Sequence, residues 1–576
     1  MMPAGGRAAP DPAWQAAADA SEVLGPESGL FAGLDPADFG MSTLAVLARA
    51  AARPDQVGGA WLRFAAAMAK AWPTAVSRWL GSEAEQSARA DRADRRFADA
   101  AWSENPAYNV LLQAYRAAWR LADDLLAAGR GDPLSDQKAE LAVHFALDAL
   151  APTNFLLTNP AALKRAFETG GASVLAGARN FLDDLVHNGG RPRQVDTSAF
   201  ELGRNLAATP GQVVFRNDLI ELIQYAPQRK RVRAVPLLAS PPWINKYYVM
   251  DLAPGRSFLE WAVQHRRTVF AISYRNPDAS MSQVTLDDYL IHGPRAALDV
   301  IADITGSPRI DIVGLCLGGA LTAMLAAYLA ATGDTRLGTL TLLNTLLDYS
   351  EPGVLGAFAD KQTIARLESA MAREGVMSGT KMAATFDVLR ANDLIFNYVV
   401  SNWLMGQRPP AFDILAWNAD STRLPAAMHS FYLHSLYEHN LLAKGELALA
   451  GQPLSLSDIK CDTYLVAAVN DHIVPPMSSY KATRLLGGSV RYVLSSGGHI
   501  AGIVNPPSQK AWYQTGEQHP EQATQWREAA GRHTGSWWED WAAWSATRAG
   551  RLVAPPPMGS DRFPALGPAP GDYVRG

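Results

Sequence analysis

Cysteine is almost missing from this chain: 576 residues carry two, Cys316 and Cys461. That number excludes a disulfide framework and fits a reducing compartment. Charge of one sign is missing too. Lys and Arg number 52 against 56 Asp and Glu, a net of −4, which gives no footing for a nucleic-acid partner. The stretch from Met1 to Pro12 is rich in Ala, Gly and Pro and lacks the apolar core of a secretory signal. What is there is 48% hydrophobic and 19% charged residues, the balance of a globular protein with length enough for two domains.

One run is long enough to be mistaken for a membrane span. Ile312 to Thr332 carries no charged residue, and length alone would let it cross a bilayer. Gly314, Gly318 and Gly319 interrupt its first third, and strand-like residues precede helix-like ones. The pattern predicts a buried strand that turns into a helix, with no transmembrane segment.

Texture divides the rest. Residues 1–40 are expected to be a flexible tail, 41–192 a helical N-terminal domain and 193–576 an α/β catalytic domain. In the helical part, Asn105-Pro106 is a helix start, and Tyr108, Leu112, Tyr115, Trp119, Ala122 and Leu126 give it one apolar face. Arg130-Gly131-Asp132-Pro133 stops that helix, and the charge run from Glu83 to Asp99 reads as a solvated face. Asn188-Gly189-Gly190-Arg191-Pro192 marks the domain boundary.

Beyond it, Gln212–Phe215 and Leu219–Tyr225 flank Asn217-Asp218 as a β-hairpin, and Arg229-Lys230-Arg231 reads as an exposed turn. Strands are predicted at 235–239, 268–273, in the run from Asp311 that leads into Cys316, and at 339–343, 463–469 and 490–494. Helices are predicted at 257–265, 286–304 and after the elbow, so the alternation argues for a mostly parallel sheet covered on both faces. From about 348 to 441 the alternation lapses into helical, aromatic-rich sequence with Trp403, Trp417, Phe431 and Tyr432. Such an insertion lies above the carboxyl ends of the strands and is a candidate lid. Trp537, Trp538, Trp541 and Trp544 recur at helical spacing and are expected to anchor a packed C-terminal helix.

The chemistry centres on Gly314-Leu315-Cys316-Leu317-Gly318-Gly319. A β-branched run meets glycines around a single cysteine, and an Ala/Leu-rich helix follows, which is the layout of a nucleophile elbow. Asp471 follows one later strand and His499 the next, within Ser495-Ser496-Gly497-Gly498-His499. The order nucleophile, acid, histidine resembles that of the α/β-hydrolases. A thiolate is the active form of cysteine, and a histidine partner and a helix N-terminus both favour it. The oxyanion needs two backbone donors: Leu317, and Ile244 (or Trp243) from the loop after the strand at 235–239, where Pro241 and Pro242 cannot donate. An acyl-cysteine is itself a thioester, so loading it from another thioester costs little, and passing the acyl group to a hydroxyl is downhill. His472 reads first as a structural histidine, and Cys461 as structural also.

Several ordered blocks resemble one family. They include Asp196–Asn205, Pro241-Pro242-Trp243-Ile244-Asn245-Lys246-Tyr247-Tyr248, Tyr274–Met281, the Gly314–Gly319 elbow and Asn392-Asp393-Leu394. Asn397–Val400, Trp417-Asn418, Asp471-His472-Ile473-Val474-Pro475, Gly498–Gly502 and Asn505-Pro506-Pro507 complete the set. The chain resembles the class I polyhydroxyalkanoate synthases from about Asn105 to the C-terminus. The resemblance implies that Cys316 carries the growing polyester as a thioester and that His499 activates the thiol. Asp471 would either orient His499 or help deprotonate the incoming 3-hydroxyl. It implies an (R)-3-hydroxyacyl-CoA donor of short side chain, release of CoA, and no metal or redox cofactor. It also implies cytoplasmic work at the surface of storage granules, as a homodimer beside granule-associated proteins. Arg390 would help admit the CoA phosphates, although Ala391 stands where relatives often carry Pro, and His472 has a second reading as a substrate contact. Trp243 is bulkier than the usual occupant of its position. The alternative on the same scaffold is a thiol esterase or polyester depolymerase.

Overall fold

The structure is a computed structural model that describes residues 35–79 and 94–576. It divides into two compact units: residues up to Asp196 with Lys381–Pro410, and Thr197–Thr380 with Ala411–Gly576.

The first unit is built from α1 (Pro36–Ala51), α2 (Pro54–Trp79), α3 (Pro106–Ala128), α4 (Pro133–Ala149), α5 (Pro160–Glu168) and α6 (Ala172–His187). Local chemistry sets the starts. Asn105 Oδ1 accepts the Ala107 N–H at 3.0 Å, with Pro106 as the first helical residue. Asp132 and Asn159 cap α4 and α5 in the same way, each followed by proline. Proline suits that position because the N–H it lacks would have no helical partner there. Asp35-Pro36 is another such start, so the expected tail ends before residue 40; residues 1–34 lie outside the described residues.

The charge run reads differently in three dimensions. Residues 83–93 lie outside the described residues, but its end is not a solvated face. Arg96 is part-buried and donates to Asp148 at 3.0 Å, the Tyr115 hydroxyl at 3.1 Å and Asn392 Oδ1 at 2.9 Å, besides pairing with Asp94. A guanidinium can be drawn inward when its several donors all meet acceptors. Residues 381–410, counted above within the 348–441 insertion, belong with this unit for a plain reason. Val388, Ala391, Ile395, Phe396 and Val399 bury their apolar side chains with Phe145 of α4, and Trp403 Nε1 donates to Asp184 Oδ2 at 2.8 Å.

The second unit carries an eleven-stranded sheet. Its strands are β1 (Gly211–Arg216), β2 (Ile220–Tyr225), β3 (Leu237–Ser240), β4 (Val269–Tyr274), β5 (Ile310–Leu315), β6 (Leu337–Leu343), β7 (Thr463–Ala468), β8 (Val490–Ser495), β9 (Trp512–Thr515), β10 (Gly531–Thr534) and β11 (Gly567–Pro568). The spatial order is β10-β9-β8-β7-β6-β5-β3-β4-β2-β1-β11. Strands β3 to β8 run parallel, with antiparallel strands at both edges. β1 and β2 form the expected hairpin, where Asn217 Oδ1 accepts the Leu219 and Ile220 N–H groups at 2.9 and 2.8 Å. The helix predicted over 286–304 is broken. Pro294 cannot donate to the preceding turn, and a π-turn at Ile291–Arg295 separates Leu286–Leu290 from Ala296–Thr305.

The uncharged run is β5 followed by α7 (Leu317–Thr332), a helix buried on nearly every face. Burial all round explains its uniform hydrophobicity. Among the described residues no helix is long and apolar enough to cross a membrane. The insertion contributes α8 (Lys361–Glu374) and α9 (Ala426–Tyr432), and the tryptophans lie on α10 (Trp537–Ala546). Trp537, Trp538 and Trp541 are buried around Phe258, with ring centroids 4.8–5.6 Å from it.

Candidate active site

Three loops leave the same edge of the parallel sheet. Cys316 directly follows β5, Asp471 lies just beyond β7, and His499 just beyond β8. The register aligns these ends: Leu315 pairs with Leu343, Leu343 with Val466, and Ala468 with Ser495. Side chains on short loops at the carboxyl ends of adjacent parallel strands converge on one crevice.

Cys316 occupies the apex of the turn with φ +52° and ψ −117°, a region non-glycine residues rarely enter. Such strain costs on the order of 1–3 kcal/mol and persists only where the surroundings enforce it. The glycines enforce it by close approach. A Cβ on Gly318 would stand 2.3 Å from the Ser240 and Pro241 carbonyl oxygens, and one on Gly319 1.9 Å from Thr345 Oγ1. The Cys316 N–H donates to the Leu343 carbonyl at 2.8 Å, and its carbonyl accepts the Ala320 N–H at 3.0 Å. The side chain is therefore presented at the N-terminus of α7, half-buried.

His499 Nδ1 lies 2.7 Å from Asp471 Oδ2, with both side chains buried. Burial alone would lower the histidine's pKa. The Asp471 carboxylate, joined by Cys316, outweighs it and raises the pKa to about 10. An imidazole so placed can take a proton from the thiol and hold it as imidazolium. Trp537 and Trp538 support the loop from below by donating to the Gly502 and Ile503 carbonyls at 2.8 and 2.9 Å. Cys461 is a different thiol: burial pushes its pKa up to about 11, which keeps it unionised.

Leu317 is the first residue of α7, where a backbone N–H has no partner within the helix. The Ser240-Pro241 carbonyls press on that same helix start, so the loop carrying Ile244 and Trp243 runs beside the elbow. Ile244 is half-buried. Trp243 is fully buried, edge-on to Tyr289 and Tyr432 with centroids 5.9 and 6.1 Å apart. Arg390 belongs to the other unit, where it is half-exposed and paired with Asp393. His472 is half-buried beside Asp471.

Sequence reasoning named Tyr432 only as one aromatic of the insertion and missed Tyr349 and Tyr437. Burial raises the pKa values of Tyr349, Tyr432 and Tyr437, and electrostatic coupling to Cys316 adds to each. Their rings form one edge-on chain, Tyr349–Tyr437 at 4.9 Å and Tyr437–Tyr432 at 5.4 Å. The aromatic richness of 348–441 signalled them, but only packing selects which rings face the thiol. His434, Glu438 and His439 bring ligand-type atoms within 4.8 Å of one another. Glu438 and Glu368 flank His434 and raise its pKa, while Lys361 Nζ lies 3.6 Å from Glu438, so these charges already balance within the cluster.

Comparison with known proteins agrees with this architecture. A family model described as the poly-beta-hydroxybutyrate polymerase (PhaC) N-terminus matches residues 93–262, and one for the alpha/beta hydrolase fold matches 238–506. The chain is 41% identical over 527 residues to a poly(3-hydroxyalkanoate) polymerase of Methylorubrum extorquens, spanning 91% of this chain and 87% of that one. It is 40% identical over 544 residues to a poly(3-hydroxyalkanoate) polymerase subunit of Cupriavidus necator, spanning 93% and 91%. To poly(3-hydroxyalkanoate) polymerase 1 of Ectopseudomonas oleovorans it is 42% identical over 483 residues, spanning 84% and 86%. Identity of this order along nearly the whole length, over a sheet of the α/β-hydrolase type, assigns the chain: it belongs to the poly(3-hydroxyalkanoate) polymerase family.

Proposed function

We propose that this protein polymerises (R)-3-hydroxyacyl-CoA into polyester through a thioester on Cys316. The Cys316 proton passes to His499, and the sulfur attacks the thioester carbonyl. The oxyanion is met by the backbone N–H of Leu317 and a second donor from the Trp243-Ile244 loop. Collapse of the adduct expels the CoA sulfur, which takes the proton back from His499. A 3-hydroxyl then attacks the acyl-cysteine, its proton again going to the imidazole, and an ester forms as the thioester breaks. Asp471 holds the ring and balances the imidazolium.

The observation that carries this reading is the placement of a buried Asp471–His499 pair at 2.7 Å beside a cysteine held at a strained elbow. Cysteine supports transfer over hydrolysis, since thioester exchange is nearly balanced and ester formation from a thioester is downhill. Tyr349, Tyr432 and Tyr437 are electrostatically coupled to Cys316 and Trp243 packs edge-on to Tyr432, an aromatic surrounding that supports a short side chain. His472 is retained as a substrate contact. The reading has the enzyme working in the cytoplasm as a homodimer, at the surface of the granule it builds.

The test supplies purified protein with (R)-3-hydroxybutyryl-CoA and follows CoA release together with turbidity. CoA release with rising turbidity is expected; release that yields only free 3-hydroxyacid would make the protein a thiol esterase.

A further inference from the structure

Asn344 stands at the middle of the edge from which the three catalytic loops leave. It follows the last residue of β6, between the elbow strand β5 and the acid-bearing strand β7. Its neighbour Leu343 receives the Cys316 N–H at 2.8 Å, and its own N–H donates to the Val466 carbonyl at 2.8 Å. Its side-chain Nδ2 donates to the His499 carbonyl at 2.5 Å. Asn344 is thus tied directly to the acid and base segments and, through its neighbour Leu343, to the nucleophile.

Two further observations set it apart from ordinary core packing. Asn344 is 0% exposed, yet its φ is +42°, a left-handed conformation that asparagine tolerates better than most side chains. Its Oδ1 is buried with no hydrogen-bond partner among the described residues. Turning the amide over would aim that oxygen at the His499 carbonyl, acceptor against acceptor, so the donor is held inward. A buried amide half of which goes unsatisfied is expensive, and the fold keeps it where its other half grips the histidine. The grip matters because the loop is glycine-rich: Gly497 lies at φ +109° and Gly498 and Gly502 flank the turn. Asp471 fixes the ring; Asn344 fixes the backbone that carries it.

We propose that Asn344 is a positioning residue for His499, setting the reach of the imidazole from Asp471 to the Cys316 sulfur. This rests on the roles of Cys316 and His499 proposed above.

Two variants test it. Asn344→Gly accepts the positive φ without strain and deletes the amide. Asn344→Asp keeps shape and length and replaces the donor by an acceptor, so it serves should Asn344→Gly give too little folded protein. Two readouts are taken: kcat and KM for CoA release from (R)-3-hydroxybutyryl-CoA, and the pH dependence of Cys316 alkylation by iodoacetamide. The expected result is a fall in kcat of about 10- to 100-fold with KM within about twofold, as misplacement of a catalytic group produces. The alkylation profile should move by at least about half a pH unit, because the thiol no longer shares its proton with a fixed imidazole. Lower folded yield with unchanged kcat per folded molecule and an unchanged alkylation profile would overturn the proposal. His499→Ala separates the two readings. If that variant matches the parent in both readouts, the catalytic reading itself fails; if it is inactive while both Asn344 variants match the parent, the inference about Asn344 alone falls.

Discussion

Asp471 divides its two oxygens between the ring of His499 and its own loop. Oδ2 lies 2.7 Å from His499 Nδ1, and Oδ1 accepts the backbone N–H groups of Ile473 and Val474 at 2.9 and 2.8 Å. The carboxylate is thereby fixed before it acts, and the histidine takes its orientation from a group that cannot turn away.

Asp471→Asn keeps that shape and removes the charge. We expect kcat to fall by about 10²–10⁴-fold, the loss seen when a histidine's carboxylate partner becomes an amide. Stability should change with pH in a defined sense. His499 is raised from 6.5 to about 10 in the fold, so its pairing contributes fully below pH 6.5 and is lost as pH rises through about 10. Denaturant unfolding should therefore show the variant about 3 kcal/mol weaker than the parent at pH 6, with the gap closing toward pH 10. A gap that stays constant across that range would rule out the pairing as its source.

The two cysteines should behave as different groups. Cys316→Ser is expected to lower CoA release by about 10³-fold or more, since serine is the weaker nucleophile and would hold the chain as an oxygen ester. Cys461→Ala, at a thiol whose pKa burial raises to about 11, should leave kcat within about twofold of the parent. Equal losses in the two variants, measured per folded molecule, would remove Cys316 from its role.

Glycine at the elbow answers to space, and glycine elsewhere need not. Gly318→Ala would set a Cβ 2.3 Å from two backbone oxygens and should destabilise by about 3 kcal/mol or more. Gly58, inside α2, has nothing within 4 Å of the same position. Gly58→Ala should stabilise by about 0.5–1 kcal/mol through helix propensity alone. Thermal melts of the two variants, read side by side, check both signs.

Side-chain length preference should respond to Trp243. Replacing it by leucine opens space where its ring meets Tyr432 at 6.1 Å. The ratio of kcat/KM for 3-hydroxyoctanoyl-CoA over 3-hydroxybutyryl-CoA should rise about tenfold, within the range a few methylenes produce in an apolar pocket. An unchanged ratio would place the length filter elsewhere.

Local chemistry made much of this molecule legible from sequence. Asn105-Pro106 started a helix because capping and a missing N–H are decided within four residues. Cys316, Asp471 and His499 can be ordered because each follows a short apolar strand bounded by turn residues. The failures share a cause. Arg96 falls in a run that reads as solvated because its partners Asp148 and Asn392 lie 52 and 296 residues away. Tyr437 and Asn344 were not singled out because nothing in their own neighbourhood says what they face. Pro294 is the exception, a local signal within a periodic run that by itself marks the break.

The shared core of Phe145, Val388, Ile395 and Phe396 carries a lesson about order in time. A ribosome finishes α1 to α6 long before it reaches residue 381, yet the wall that buries Phe145 of α4 is made of residues 381–410. The helical unit is begun first and sealed late, after the elbow strand and its cysteine have emerged. Until then Phe145 lacks most of its lining, and that face of the early helices is exposed to chaperones and proteases. A fragment ending at Asp196 should accordingly melt without a cooperative transition, and the intact chain with one; a sharp transition in the fragment would show that the late segment is dispensable.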